Sequence, residues 1–236
     1  MKVFDKWYPV TSDYGLLKCN FENLCCIFEE WSHEIHLSRK KKLLNVSLED
    51  SFNSLEKLTP LYSKTLFVQT RSDWIAVFQN GIRGSDPGSM ISVLSMRLKT
   101  TGMRVCASPE SELYPATIWE VYDTEENGGI MPLGYRRTVY ASKDGGRWVF
   151  GQSGDPFPFE DTDRYSQRIK RKRFNRNILE EYLSNFGVFP FDDNFFQVSK
   201  STPSALYEKS AYLGKILNFS RSFTLQEVKE GLPWKR

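Results

Sequence analysis

The chain has 236 residues, 40% of them hydrophobic and 14% aromatic, enough to build a packed core and too apolar for a disordered segment. Its 32 Lys and Arg against 29 Asp and Glu leave a net charge of +3, which does not demand a polyanionic partner, so nucleic-acid binding would have to come from local clustering. No apolar run reaches membrane-spanning length, the first ten residues lack the apolar core of a signal peptide, and four cysteines give no disulfide framework; together these point to a cytoplasmic protein without membrane contact.

The first sixty residues read as helical with interruptions. Phe21, Leu24, Cys25, Phe28 and Trp31 recur at helical spacing and mark one packing face. Arg39 to Lys42 is a four-residue basic run, read as solvated surface. Ser47 to Leu58 reads as a second short helix, with Leu48, Phe52 and Leu55 on its apolar side, and Pro60 closes the region.

The segment from Thr65 to Glu110 is the organising unit. It parses as strand, turn, strand, loop, helix and strand. Between Trp74 and Gln79 both alternating faces are apolar, as in a strand covered on both sides. Asn80-Gly81 ends that strand, and a glycine-rich loop leads to Asp86-Pro87, where Asp86 is expected to cap a helix carrying Met90, Leu94 and Leu98. Gly102 stops this helix and Met103 to Ala107 forms the next strand. Further strands are expected over Ala116 to Tyr122, Tyr135 to Ala141 and Arg147 to Phe150, with a polar turn at Thr124 to Gly129 and a hairpin loop at Ser142 to Gly146. The proline-rich Gly154 to Asp161 reads as a link.

Arg164 to Arg176 holds seven Lys or Arg among thirteen residues and reads as one basic helix continuing into an amphipathic face of Ile178, Leu179, Tyr182, Leu183 and Phe186, ended by Gly187. Thr202-Pro203 carries the signals of a last helix, through about Leu217. The expected architecture is a single α+β domain over residues 1–236. It has a helical part (1–60), a mainly antiparallel sheet of about six strands with one inserted helix (61–154), and a helical C-terminal part (155–236), so that helices from both ends cover the sheet.

Chemistry is sparse. His33 and His36 are the only histidines, and with Cys19, Cys25 and Cys26 they lack the paired spacing of a structural zinc site, so no metal is expected. Phosphate-loop, metalloprotease and serine-hydrolase signatures are absent from the sequence, and neither a catalytic residue nor a cofactor is assigned. The loop Gly81 to Ser89 precedes a helix, as anion sites do, but lacks the lysine of a phosphate loop. The candidate binding surface is therefore Arg83 and Asp86 in that loop together with Arg168, Lys170, Arg171, Lys172, Arg173 and Arg176. Tyr165 and Phe174 would offer stacking faces for bases, while the acidic Glu125, Glu126, Asp192 and Asp193 would offer an intramolecular partner for the cations.

Trp74-x-Ala76-x-Phe78-x-Asn80-Gly81-x-x-Gly84-x-Asp86, Asp144-Gly145-Gly146-x-Trp148-x-Phe150, Phe159-Glu160, Phe174 to Gly187 and Pro190-Phe191-Asp192 resemble a group of uncharacterised bacterial proteins, over residues 65–196. Gln79 departs from that pattern, where an acidic residue is expected. The resemblance implies a cytoplasmic protein, in some members of the immunity type that neutralises a toxin, and it carries over no catalytic residue. The resulting expectation is a non-enzymatic protein-binding protein with a toxin-like partner. Two alternatives stand beside it: an enzyme with its site in the loop 80–89, drawing on Asp73, Asn80, Arg83, Asp86 and Glu120, and nucleic-acid binding through 164–176.

Overall fold

The computed structural model describes residues 3–123, 135–196, 202–209 and 221–234. Nine strands are present among them: β1 (Asp13–Lys18), β2 (Arg39–Val46), β3 (Lys64–Gln69), β4 (Trp74–Gln79), β5 (Gly102–Ala107), β6 (Ala116–Tyr122), β7 (Tyr135–Asp144), β8 (Arg147–Ser153) and β9 (Thr202–Lys209). They form one sheet in the order β2-β9-β3-β4-β1-β5-β6-β7-β8. Every pairing in it is antiparallel. The fold is α+β, as the sequence implies.

Strand alternation sends side chains to two separate cores. One face buries Tyr14, Leu16, Leu66, Val68, Trp74, Phe78, Val105, Trp119 and Val139. It is covered by α1 (Val3–Lys6), α3 (Leu48–Asn53), α6 (Arg176–Ser184), α7 (Asp193–Phe196) and α8 (Leu225–Lys229). The other face buries Leu17, Phe67, Ile75, Val77, Ala205 and Tyr207 beneath α2 (Phe21–Glu34) and α4 (Gly88–Leu98). β4 is buried along its whole length, which explains its apolar residues on both faces. The close seat of α4 depends on missing side chains. A Cβ on Gly15 would stand 2.3 Å from Ile91 Cδ1, and one on Gly102 would stand 2.7 Å from Ile91 Cγ2, so glycine is what lets Ile91 lie directly on the strands.

Several expectations change. The sheet has nine strands rather than about six, because the supposedly helical ends each contribute to it. β1 sits between β4 and β5, and the basic run Arg39–Lys42 begins β2. Thr202-Pro203 starts β9, not a helix. Burial on both faces of β9 decides this, and Pro203 is tolerated because β3 pairing ends at Ser204, leaving the missing N–H opposite no β3 residue. Helix Ser47 to Leu58 shrinks to α3, while β3 to β6 and helices α2 and α4 fall where the sequence places them; β7 and β8 are longer than expected, β7 taking in Ser142 to Asp144 of the supposed loop and β8 running on to Ser153. Glu125, Glu126, the turn Thr124 to Gly129 and the residues between Lys209 and Leu217 lie outside the described residues. Among the described residues no helix is long and apolar enough to cross a membrane.

The basic helix is also corrected. Arg164 to Arg176 breaks into a 3-10 turn (Thr162–Ser166), the single turn α5 (Lys170–Arg173) and the start of α6. Phe174 and Asn175 are extended; Phe174 turns into the core at 1% exposure, and the Asn175 side chain accepts from the Asn177 and Ile178 amides to cap α6. Four adjacent cations with no acid at helical spacing do nothing to hold the segment as one helix.

Candidate partner-binding surface

Between β5 and β6 the chain leaves the sheet as the segment Ser108 to Pro115. Its base is pinched by Ser108, whose N–H donates to the Ala116 carbonyl at 2.9 Å and whose Oγ accepts from the Ala116 amide at 2.7 Å. Pro115 is tied to the β7 side by the Lys143 amide at 2.9 Å. Prolines at 109 and 115 and the Glu112 amide bonded to the Pro109 carbonyl hold the loop's shape. At its tip Leu113 is 77% exposed and Tyr114 68%. They are the two most exposed large hydrophobic side chains among the described residues and stand side by side on a braced loop.

Beside the loop lies a cavity of about 300 Å³, lined by the rings of Phe4, Tyr8 and Phe191, by Ala107 and Pro109, and by the polar Asp5, Thr11, Ser12 and Arg176. The Arg176 guanidinium lies 3.7 Å from the centre of the Phe191 ring, so a cation covers an aromatic wall. Tyr8 bonds to Glu112 of the loop; burial and that carboxylate both push its phenol above the ordinary tyrosine range. On the other flank stands α5. Arg171 reaches Glu110 of the loop at 3.4 Å, with both groups at least half exposed, so the pair adds little stability. Arg173 donates to the Gln167 carbonyl at 2.6 Å and stacks over Phe150. Arg168, Lys170 and Lys172 are exposed and form no ion pair among the described residues.

The 3-10 turn that leads towards α5 is held from inside. Arg137 and Glu160 are both fully buried and pair at 2.5 Å. Glu160 also accepts from the Tyr165 hydroxyl at 2.6 Å and the Phe157 amide at 2.9 Å, while Arg137 donates to the Ser153 and Gly154 carbonyls. Tyr182 of α6 meets the Tyr165 hydroxyl at 3.0 Å. A buried pair of this kind is tolerated because both Glu160 oxygens and the Arg137 Nε, Nη1 and Nη2 groups all have hydrogen-bond partners. Burial works against the Arg137 charge, but Glu160 more than offsets it and holds the guanidinium protonated.

The predicted surface therefore divides. Arg171, Arg173 and Arg176 gather around the loop and β8, with Arg168, Lys170 and Lys172 exposed on the same segment. Arg83 and Asp86 lie apart from them: Arg83 stacks on Trp234 at 4.9 Å, and Asp86 approaches Arg104 at 3.3 Å. Asp86 does not cap α4, whose first residue follows Pro87 with no side-chain cap. Arg104 draws it away, together with Asp13 (2.6 Å) and Glu120 (3.5 Å). Burial pushes the Asp13 carboxyl up to about 6 against the pull of Arg104, with Asp86 and Glu120 adding to the rise. Burial opposes the Arg104 charge, but these carboxylates keep it firmly protonated. Asn80 is buried and consumed in structure, accepting from the Ser63 and Lys64 amides and donating to the Lys57 carbonyl. Asp73 pairs with Lys18 at the surface.

Tyr165 and Phe174 are buried at 9% and 1%, so neither is presented to a base. Asp192 accepts from Asn194 and Asp193 accepts from the Phe4 amide, so the contacts seen for the cations go instead to Glu110, Asp161 and Glu181. Sequence reasoning missed Leu113, Tyr114, Asp13, Arg104 and Arg137. The first two had a readable signal, an apolar pair between two prolines with neither helical nor strand periodicity. Compared with known proteins, the chain finds no match among family models, curated proteins or solved structures.

Proposed function

We propose that this is a non-enzymatic protein-binding protein whose partner engages the loop Ser108 to Pro115, the adjoining cavity and α5. The observation that carries the reading is an exposed Leu113 and Tyr114 flanked on one side by the cavity and on the other by the cationic turn α5. Apolar and aromatic anchors rimmed by charge are the composition of recognition surfaces, with the charge setting orientation and encounter rate. Neutralisation of a toxin, the role implied by the resemblance to immunity-type proteins, is the particular form we assign to this binding. Affinity capture from the source cells tests it: the parent chain should retain a stoichiometric protein, and Leu113→Ser/Tyr114→Ala should release it. Capture of nothing, or equal retention by the variant, contradicts the reading.

One observation favours the enzyme alternative at the loop 80–89. Asp13, Asp86 and Glu120 converge on Arg104, and burial pushes the Asp13 carboxyl up to about 6, in the direction that suits a general acid or base. An activity lost in Asp13→Asn while the capture result is unchanged would move the function to that cluster.

A further inference from the structure

The sheet has two outer strands, and they are finished differently. β2 carries Arg39, Lys40, Lys41 and Lys42, the kind of lysine-rich edge that discourages further pairing. β8 carries one charge, Arg147, at its start, followed by Trp148 to Ser153 without any. Its hairpin with β7 turns through Gly145 and Gly146 at φ 53° and 81°, the two-residue turn that makes Asp144 and Arg147 a hydrogen-bonded pair. The register then alternates: Arg147, Val149, Gly151 and Ser153 bond to β7, while Trp148, Phe150 and Gln152 aim their N–H and C=O groups outward. Among the described residues none of those outward main-chain groups has a partner.

We infer that β8 is an acceptor edge on which an extended, acidic segment of the partner protein docks as a tenth strand. This rests on the protein-binding reading and specifies its mode. The charge of the occupant follows from α5, which packs alongside β8 with Arg173 over the Phe150 ring, while Arg168, Lys170 and Lys172 stand exposed with no carboxylate partner among the described residues. A second copy is the wrong occupant, because two β8 strands paired about a twofold axis would bring two such cationic turns to the same side of the joined sheet. An incoming strand would present alternate residues to the two faces. Those on the α5 side meet Phe150 and the cations, and suit Asp or Glu. Those on the other side meet Val149 and the Tyr140 ring that lies against Gly151, and suit Val, Ile or Thr.

Panning a phage-displayed library of random peptides of about twelve residues on the full chain tests this. The expected result is enrichment of alternating acidic and β-branched sequences without central proline. A synthetic peptide of that sequence should slow amide exchange at Trp148, Phe150 and Gln152, and its affinity should fall about tenfold in Lys170→Glu/Lys172→Glu. Lack of enrichment, enrichment of basic or proline-rich peptides, or protection elsewhere with these three amides unchanged would overturn it. So would salt-sensitive retention of nucleic acid by α5. A partner captured through Leu113 and Tyr114 that leaves the β8 amides unprotected sinks the docking mode alone; failure of capture sinks the binding reading itself.

Discussion

Two runs of four cations, Arg39 to Lys42 and Lys170 to Arg173, have nearly the same composition and opposite settings. The first lies on the edge strand β2 and is partly tied down: Arg39 stacks on Phe28 at 4.7 Å, and Lys41 pairs with Glu29 at 2.7 Å. The second stands beside an edge rather than on it, and among the described residues its two lysines have no carboxylate partner. A basic run is therefore not one kind of signal. Cations on an outer strand discourage pairing there, whereas cations next to an outer strand give it a preference for acidic segments.

The largest expected effect comes from the buried network under the 3-10 turn that leads towards α5. Glu160→Gln leaves the Arg137 charge buried without its counterion, and urea denaturation should show a loss of about 3–5 kcal/mol. No single substitution at an exposed cation of β2 should approach that, since surface changes stay within about 0.5 kcal/mol.

Next in size is the inverse arrangement, one cation hemmed in by three carboxylates. Asp13 binds its proton more tightly folded than unfolded, about 6 against 3.8. Its contribution is therefore complete below the unfolded value and lost as pH rises through the folded one. Thermal melts of the parent should lose ground to Asp13→Asn between about pH 4 and pH 6, by a few degrees, and run parallel to it above that window.

A smaller effect separates the two basic runs directly. Lys170→Glu/Lys172→Glu should weaken partner capture about tenfold with stability unchanged within about 0.5 kcal/mol, while Lys40→Glu/Lys42→Glu should leave capture intact. Smallest of all, Lys40→Thr/Lys42→Thr should hardly change the melt, yet raise the apparent mass in concentration-dependent light scattering by opening the β2 edge.

The middle of the chain was legible because its signals are local. Trp74 to Gln79 shows two apolar faces, and the glycines at 145 and 146 mark a hairpin; the stripe Ile178 to Phe186 was readable as helix, but its start at Asn175 was not, because the basic segment before it reads as part of the same helix. The ends were not, because tertiary pairing decides them. Arg39 to Val46 and Thr202 to Lys209 become strands by pairing with each other across more than 150 intervening residues, and nothing within either segment says so; Thr202-Pro203 even carries helix-start chemistry. At the site, the cations were visible as composition. Their division between α5 and the Arg104 cluster was not, since Asp13, Asp86 and Glu120 meet only after β1, β5 and β6 are side by side.

Hydroxyl-radical footprinting of the captured complex tests the central claim most directly, because it reads surface protection without altering the chain. The account predicts that oxidation of Leu113 and Tyr114 falls sharply in the complex relative to the free protein, while that of the exposed Leu43 on β2 stays as it was. Undiminished oxidation of Leu113 and Tyr114, with protection on any other face, would contradict it.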